Sequence, residues 1–142
     1  MNIPVDVIAR YVFALLLCTG LDATARDVYL RCRGSLTLHT AELPLVKENQ
    51  EIAIHVQAKT MIYVSGSQFI VNASAPICPN RSPSPDELRF DSRSCTESAP
   101  GGGIYGSYNR ILEKLDISDD RRYGDLWLTS GVFRCVPAKV ID

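Results

Sequence analysis

The residues with the most definite chemistry in this chain are its cysteines. The 142-residue sequence contains five cysteines, and those beyond residue 25 are Cys32, Cys78, Cys95 and Cys135. Zinc sites usually contain a close pair such as C-x2-C, and no two of these cysteines are close in sequence. An even number of separated cysteines is typical instead of disulfides, which stabilise small domains in oxidising compartments, where the core alone is modest.

Four cysteines allow three pairings, and their positions favour one of them. Cys32 and Cys135 each alternate with arginines in an apolar strand pattern, so both can point into a core. Cys78 and Cys95 lie in a loop rich in proline and glycine, residues 76–103, where the chain can double back. A disulfide needs Cα atoms within about 7 Å of each other. We therefore expect Cys32 to pair with Cys135 and Cys78 to pair with Cys95.

The two histidines of the chain, His39 and His55, are the imidazoles available for acid–base or metal chemistry. Each lies opposite the apolar face of its strand, which predicts an exposed side chain. No Gly-x-Ser-x-Gly motif marks a serine nucleophile, and Asp119 and Asp120 lie in a charge run that predicts a solvated loop. The sequence therefore assigns no catalytic residue, no metal and no cofactor.

Three aromatic residues form the candidate binding surface. Tyr105 and Tyr108 flank Gly106 just after a run of three glycines, and Trp127 follows a short way along the chain. Aromatic side chains beside mobile loops are common in binding interfaces. They are equally common in cores, so core packing is the alternative for all three.

A period of two in the apolar residues predicts a β domain. Val28, Leu30 and Cys32 share one face of a strand whose other face carries arginines. Similar patterns, rich in β-branched and aromatic residues, occur at residues 52–56, 60–64, 68–72, 88–90, 126–128 and 132–136. The predicted fold is all-β, a small antiparallel sandwich or meander with disulfides, formed by about seven to nine short strands.

Residues 107–116 allow two local structures. Ser107 can cap a helix on which Ile111 and Leu115 share one face. The residues on either side of this segment have strand-like patterns, which favour two strands joined by a turn. From the sequence, both the helix and the strand–turn–strand remain open.

The N-terminal residues have the pattern of a signal peptide. Arg10 precedes an apolar run of roughly 8–11 residues, which is too short to cross a bilayer and typical of a secretory signal. The run ends at Ala23-Thr24-Ala25, the small-x-small pattern that signal peptidase cleaves. Residues 1–25 are therefore predicted to be removed. Residues 26–142 are predicted to form a single β-rich domain that is periplasmic or secreted.

The charge of the domain argues against two classes of partner. The whole chain has 15 Lys and Arg residues and 16 Asp and Glu residues, of which Arg10, Asp6 and Asp22 lie in the predicted signal peptide. The remaining domain is neutral, whereas nucleic-acid binding requires clustered excess Lys and Arg. No second apolar stretch is long enough for a transmembrane helix. We therefore expect no nucleic-acid partner and no stable membrane insertion once the signal is removed.

Both ends of the predicted domain resemble one group of proteins. Residues 106–110 are Gly-Ser-Tyr-Asn-Arg, residues 131–138 are Gly-Val-Phe-Arg-Cys-Val-Pro-Ala, and Leu30-x-Cys32-x-Gly34 lies near the start of the domain. These segments resemble small exported, uncharacterised proteins of alphaproteobacteria, many of them rhizobial, that share a closing Y/F-x-C-x-P-A strand. The turn after Arg110 and the last four residues depart from that pattern. The resemblance implies a β fold and a periplasmic address, and it supplies no activity.

Three functions follow from these features, in order of preference. An oxidised, neutral, histidine-poor chain without a nucleophile motif predicts a non-catalytic exported domain that binds a ligand or a protein partner in the periplasm, or that has a structural role in the envelope. The alternative is an inhibitor of a secreted hydrolase such as lysozyme, because such inhibitors are small and disulfide-closed and use Ser-Gly loops. Residues 65–69, Ser-Gly-Ser-Gln-Phe, resemble such a loop with Phe in place of Tyr. A small secreted hydrolase is the third hypothesis, since scattered carboxylates can meet in a fold.

Overall fold

The computed structural model describes residues 26–70, 72–96 and 102–138, and its regular secondary structure is almost entirely β-strand. The strands, numbered in chain order, are β1 (Val28–His39), β2 (Leu45–Gln57), β3 (Met61–Ser65), β4 (Ala73–Pro76), β5 (Glu87–Asp91), β6 (Ile104–Asn109), β7 (Lys114–Asp119) and β8 (Leu128–Pro137). A short 3-10 turn, Pro79–Arg81, lies between β4 and β5. The predicted all-β class is confirmed. The predicted signal peptide lies outside the described residues, among which no helix is long and apolar enough to cross a membrane.

All eight strands belong to one antiparallel sheet. Its order is β4-β3-β2-β1-β8-β7-β6-β5, so consecutive strands pair, except β4 with β5, and the first strand pairs with the last. The two edge strands then approach each other, and Ile77, just after β4, forms a bridge with Phe90 of β5. The sheet is therefore a meander curled into a nearly closed, barrel-like layer, and it lacks the two packed layers of a sandwich.

Buried apolar and exposed polar side chains alternate along the strands, so one face of the sheet forms the interior. Leu30, Cys32 and Leu36 of β1 are buried, while Arg31 and Arg33 point outward. The other strands contribute further inward side chains: Ile52, Ile54, Val56, Ile62, Val64, Ala75, Phe90, Ile104, Tyr108, Leu115, Ile117, Phe133 and Cys135. Burial of this apolar surface is the main force that drives folding.

One inward row alternates large side chains with glycines. Leu36 of β1 pairs with Gly131 of β8, and Gly131 pairs with Ile117 of β7. Ile117 pairs with Gly106 of β6, and Gly106 pairs with Phe90 of β5. A Cβ atom on Gly131 would lie 2.6 Å from Leu36 Cδ2. The glycines therefore leave room for the large residues beside them, as the narrow interior of a closed sheet requires.

Both disulfides join the cysteines that the sequence analysis pairs. Cys32 and Cys135 are directly opposite in β1 and β8, are fully buried, and have Cα atoms 4.0 Å apart. Cys78 and Cys95 have Cα atoms 5.1 Å apart. The first disulfide ties the first strand to the last. The second holds the segment around β5 against the end of β4.

Residues 107–116 form strand, turn and strand rather than a helix. Asn109, the last residue of β6, accepts hydrogen bonds at Oδ1 from the backbone amides of Ile111 (3.0 Å) and Leu112 (2.9 Å). Glu113, just before β7, has a φ of 54°. This Asx turn and left-handed residue reverse the chain and leave Ile111 and Leu112 exposed. The pairing of β6 with β7 thus outweighs the local preference for a helix.

Two of the predicted strands are wrong in position. Within residues 68–72, the backbone amides of Phe69 and Ile70 donate hydrogen bonds to Ser67 Oγ, and the strand starts only at Ala73. Of residues 126–128, only the last belongs to a strand. Both segments are rich in apolar residues, but their local hydrogen bonds form turns.

Asp119 contradicts the solvated loop that its charge run predicts. It ends β7 and is 2% exposed. Its carboxylate accepts hydrogen bonds from Arg121, from Nε to Oδ1 at 2.8 Å and from Nη2 to Oδ2 at 2.7 Å. Burial of this charge is tolerated because the guanidinium pairs with both oxygens.

Candidate binding groove

An open cavity of about 530 Å³ lies on the outer face of the sheet. Its floor is formed by outward residues of β1, β8, β7 and β6 with small hydroxyl side chains: Ser35, Thr37, Ser107, Ser118 and Ser130. We call this cavity the groove and these five residues the hydroxyl floor. Small side chains on neighbouring strands leave the space that makes the surface concave.

Cross-strand register aligns part of the hydroxyl floor into one row. Tyr105 of β6 pairs with Ser118 of β7, Ser118 with Ser130 of β8, and Ser130 with Thr37 of β1. Neighbouring strands are about 4.8 Å apart, so the row spans about 14 Å across four strands. The groove therefore runs perpendicular to the strands and is elongated.

Arginines form the wall of the groove on the side of β5. Arg81, Arg89 and Arg93 all line the cavity, together with the carboxylates Asp91 and Asp116. Asp91, the last residue of β5, is 7% exposed. Arg93 donates from Nε to Asp91 Oδ1 at 3.0 Å and from Nη2 to Asp91 Oδ2 at 3.1 Å. Arg81 Nη1 lies 3.5 Å from Asp91 Oδ2, so one buried carboxylate anchors two guanidinium groups.

The Asp91 carboxylate remains ionised in this setting. Burial alone would raise its pKa, but the hydrogen bonds from Arg93 and the charges of Arg93 and Arg81 hold the pKa of Asp91 below its ordinary value. The hydrogen bond to Asp91 raises the pKa of Arg93. The pair therefore keeps both charges over the whole physiological range.

Asp91→Asn should lower the free energy of unfolding at pH 7 by about 2 kcal/mol, because Arg93 and Arg81 would lose their charged acceptor. The pKa of Asp91 is lowered by folding, so its carboxylate contributes fully above the ordinary aspartate value of about 3.9. That contribution disappears as pH falls through the folded-state pKa. Urea unfolding of both proteins between pH 7 and pH 2 should show a gap that closes in acid. A gap independent of pH would contradict this role.

The structure separates the three aromatic residues that the sequence groups as a surface. Tyr105 lines the groove, with the Arg93 guanidinium 4.0 Å from its ring centroid. Tyr108 is 8% exposed and packs in the core, where burial raises the pKa of its hydroxyl. Trp127 is 47% exposed and lies just before β8, with its ring centroid 5.4 Å from that of His39. Tyr105 and Trp127 therefore remain surface candidates, and Tyr108 is part of the interior.

His39 connects Trp127 to the groove. Its Nε2 atom lies 3.4 Å from Oγ of Ser130, a residue of the hydroxyl floor, and its backbone oxygen accepts a hydrogen bond from the Trp127 amide. A serine beside a histidine is the beginning of a nucleophile–base pair. Among the described residues, no carboxylate is bonded to His39 to orient its ring. The contact therefore positions His39 and Trp127 beside the groove.

His55 lies on another part of the outer face. Its ring stacks on Tyr29 with centroids 4.3 Å apart and faces Tyr63 at 5.5 Å. Its Nε2 atom lies 3.0 Å from Asp27 Oδ2. Both histidines point outward as predicted, but each is partly covered by neighbouring side chains. No three His, Cys, Asp or Glu side chains in the described part of the chain are arranged to hold a metal ion.

Most residues of the groove carry no signal in the sequence that marks them as a site. Ser107, Ser118 and Ser130 are unremarkable polar positions until the register places them side by side. Arg81 and Arg93 come from the irregular segment around β5, where no period predicts a direction. Alternation alone does predict that the serines point outward. Comparison of the chain with family models, with curated proteins and with solved structures finds no match. A function can therefore be inferred only from the groove itself.

Proposed function

We propose that this protein is an exported, non-catalytic β domain that binds a polar ligand in the groove. The observation that carries this proposal is the hydroxyl floor bordered by arginines, because hydroxyls both donate and accept hydrogen bonds and guanidiniums recognise anionic groups. A cavity of about 530 Å³ is within the usual size of small-ligand sites. The rigid sheet beneath it would hold these groups in place before the ligand arrives.

Export to the periplasm is part of the proposal. The two disulfides fit an oxidising compartment, and the resemblance to small exported proteins of alphaproteobacteria agrees with a periplasmic address. We expect the exported protein to begin at Arg26, after removal of residues 1–25. N-terminal sequencing of protein recovered from a periplasmic extract would test this. An intact Met1 in that protein would contradict the signal peptide.

Filling the groove should abolish binding without disturbing the fold. Ser118 lies in the middle of the floor and points outward, so Ser118→Trp places a large side chain in the groove while the core is unchanged. Val136→Trp is the matched control, because Val136 is an exposed outward residue of β8 outside the groove. The screen measures the melting temperature of each protein with a library of sugars, sugar acids, phosphates and short peptides.

A true ligand at about 100 times its Kd should stabilise the protein by about 2.7 kcal/mol, which raises the melting temperature by several degrees. This rise should vanish in Ser118→Trp and persist in Val136→Trp. Mass spectrometry should recover the ligand unchanged after incubation. Binding that survives in Ser118→Trp would contradict the groove as the site, and a cleaved ligand would contradict a non-catalytic domain.

The hydrolase-inhibitor hypothesis has less support. In residues 65–69, Phe69 packs against the core and the Lys47 ammonium lies 5.9 Å from the centroid of its ring. An inhibitory loop needs a side chain that projects into the enzyme's active site, and Phe69 does not project. Unchanged lysozyme activity in a large molar excess of the protein would end this alternative.

One contact favours the small secreted hydrolase as a second candidate. It is the 3.4 Å separation of Ser130 Oγ and His39 Nε2 at the edge of the groove. A nucleophilic serine would also need an oriented base and donors for an oxyanion. Turnover of esters or glycans that disappears in Ser130→Ala would support this candidate over the binding domain.

A further inference from the structure

We propose that the ligand of the groove is an acidic oligosaccharide that lies across the strands. Its acidic groups would contact Arg81 and Arg89, and a sugar ring would pack near Trp127. This inference rests on the proposed function and specifies the ligand class of the same site. Four features support it: the length of the groove, its mixture of donors and acceptors, its incompletely engaged arginines, and the exposed aromatic residue beside it.

The length of the groove fits a chain of linked units. The row from Tyr105 to Thr37 spans about 14 Å, and His39 with Trp127 extends the surface beside it. The groove is open along this direction and crosses four strands. A single small molecule would leave much of the row unoccupied. A short oligomer would contact the whole of it.

The floor matches hydroxyl groups better than it matches a peptide. The five hydroxyls of the floor can donate or accept, and the Asp116 carboxylate adds an acceptor held by Lys114 Nζ at 3.3 Å. Extended peptides usually pair with a free strand edge or insert apolar anchors into pockets. The floor strands β1, β8, β7 and β6 are paired on both sides, so no free edge is available. Sugar hydroxyls would find partners along the whole row.

The arginine wall gives the groove its preference for acids. Arg81 has a 31% exposed side chain, and its guanidinium contacts, among the described residues, only Asp91, at 3.5 Å. Arg89 is half exposed and contacts Glu87 at 3.3 Å. The exposed Arg89–Glu87 pair is weak, so a ligand carboxylate can replace Glu87, whereas Arg81 keeps its contact with Asp91 and has further N–H donors for a ligand. The lining has three arginines and two carboxylates, while Glu87 and Asp120, which pair with Arg89 and Arg93, lie outside it.

One aromatic residue, Tyr105, lines the groove, and another, Trp127, lies beside it next to His39. The Arg93 guanidinium stacks on Tyr105 at the β6 end, which fixes the orientation of that ring. Trp127 is exposed just before β8, with its ring tilted by 47° against that of His39. The C–H face of a sugar ring packs well on an exposed indole, because the indole is broad, apolar and rigid. Trp127 is therefore the residue on which a sugar ring beside the groove would pack.

Calorimetric titrations with defined oligosaccharides test this inference. The acidic probes are tetramers of galacturonate, mannuronate and hyaluronan, and the neutral probes are cellotetraose and mannotetraose. The galacturonate monomer tests the need for a chain. The proteins are wild type, Arg81→Gln, Trp127→Ala and the groove-filling Ser118→Trp. Arg134→Gln is the charge control, because Arg134 is an exposed arginine of β8 outside the groove.

We expect at least one acidic tetramer to bind wild type at least tenfold more tightly than the neutral tetramers and the monomer. Arg81→Gln should weaken that binding about tenfold and reduce its dependence on salt, because one charge-assisted contact is lost. Trp127→Ala should weaken it several-fold, Ser118→Trp should abolish it, and Arg134→Gln should leave it unchanged. Circular dichroism of each variant shows that a loss of binding is not a loss of fold.

Three results would overturn the inference. They are equal binding of acidic and neutral tetramers, equal binding of monomer and tetramer, and no binding of any acidic tetramer at millimolar concentration. If another compound binds wild type but not Ser118→Trp, the groove remains the binding site and only the ligand class is wrong. If acidic tetramers bind Ser118→Trp as well as wild type, the groove itself is not the site, and the proposed function fails with the inference.

Discussion

Replacing Cys32 and Cys135 together by alanine should lower the free energy of unfolding by about 4 kcal/mol. This disulfide spans 103 residues and joins the first strand to the last. A cross-link over so long a loop greatly restricts the unfolded chain, and both cysteines are fully buried where β1 pairs with β8. Alanine avoids placing a new polar group in the core. Urea unfolding monitored by circular dichroism measures the loss.

The second disulfide provides the comparison. Cys78 and Cys95 are separated by 17 residues, for which the same entropic argument gives about 3 kcal/mol. The double variant Cys78→Ala/Cys95→Ala should therefore be more stable than Cys32→Ala/Cys135→Ala. The reverse order would mean that the segment around β5 contributes more to the fold than the closure of β1 on β8.

Gly106→Ala should destabilise the protein by about 3 kcal/mol. A Cβ atom at this inward position would lie 2.1 Å from the backbone oxygen of Asp116. That oxygen is part of the strand paired with β6, so β6 and β7 would have to separate to relieve the clash. The free energy of unfolding from urea titration, together with the amide exchange of β6 and β7, measures the effect.

Two nearby substitutions calibrate this prediction. A Cβ on Gly131 would meet mainly side-chain atoms, of Phe133 at 2.5 Å and of Leu36 at 2.6 Å, which can shift, so Gly131→Ala should cost less than Gly106→Ala. Ser107→Ala changes an outward hydroxyl beside Gly106 and should change stability by less than about 0.5 kcal/mol. If Gly106→Ala were no more harmful than Ser107→Ala, the close approach of β6 to β7 would be refuted.

The sequence predicts the fold class because one signal repeats along the chain. Leu30 and Cys32 alternate with Arg31 and Arg33, and this alternation is a direct consequence of strand geometry. The disulfide pairing follows from the same signal, since it places Cys32 and Cys135 on inward faces. Curling into one nearly closed sheet depends on the pairing of β1 with β8, which joins residues far apart in sequence. No local pattern encodes that pairing.

The alternation of side-chain faces along a strand predicts opposite environments for Tyr105 and Tyr108. They are three positions apart, and residues an odd number apart in a strand point to opposite faces. Once the segment is a strand, one of them must be inside and the other outside, as observed. The sequence analysis left the helix open for residues 107–116 and could not use this rule. The turn that replaces the helix is formed at Asn109, whose side chain accepts hydrogen bonds from two backbone amides.

The groove depends on register and on a loop, and neither can be predicted from one sequence. Ser118 and Ser130 become neighbours only because β7 and β8 pair with this particular offset. If either strand shifted by one residue, its serine would turn to the inner face and the two would no longer be neighbours. Arg81 and Arg93 meet at Asp91 because the segment around β5 folds over the outer face. Of the residues predicted as a binding surface, Tyr105 lines the groove and Trp127 lies beside it.

Amide NMR spectra of the full exported protein, titrated with the compound that most raises its melting temperature, test the central claim most directly. If the groove is the binding site, the largest shifts should fall on Thr37, Tyr105, Ser118 and Ser130, and they should disappear in Ser118→Trp. Shifts centred instead on the stacked rings around His55, with the groove residues unmoved, would contradict the account.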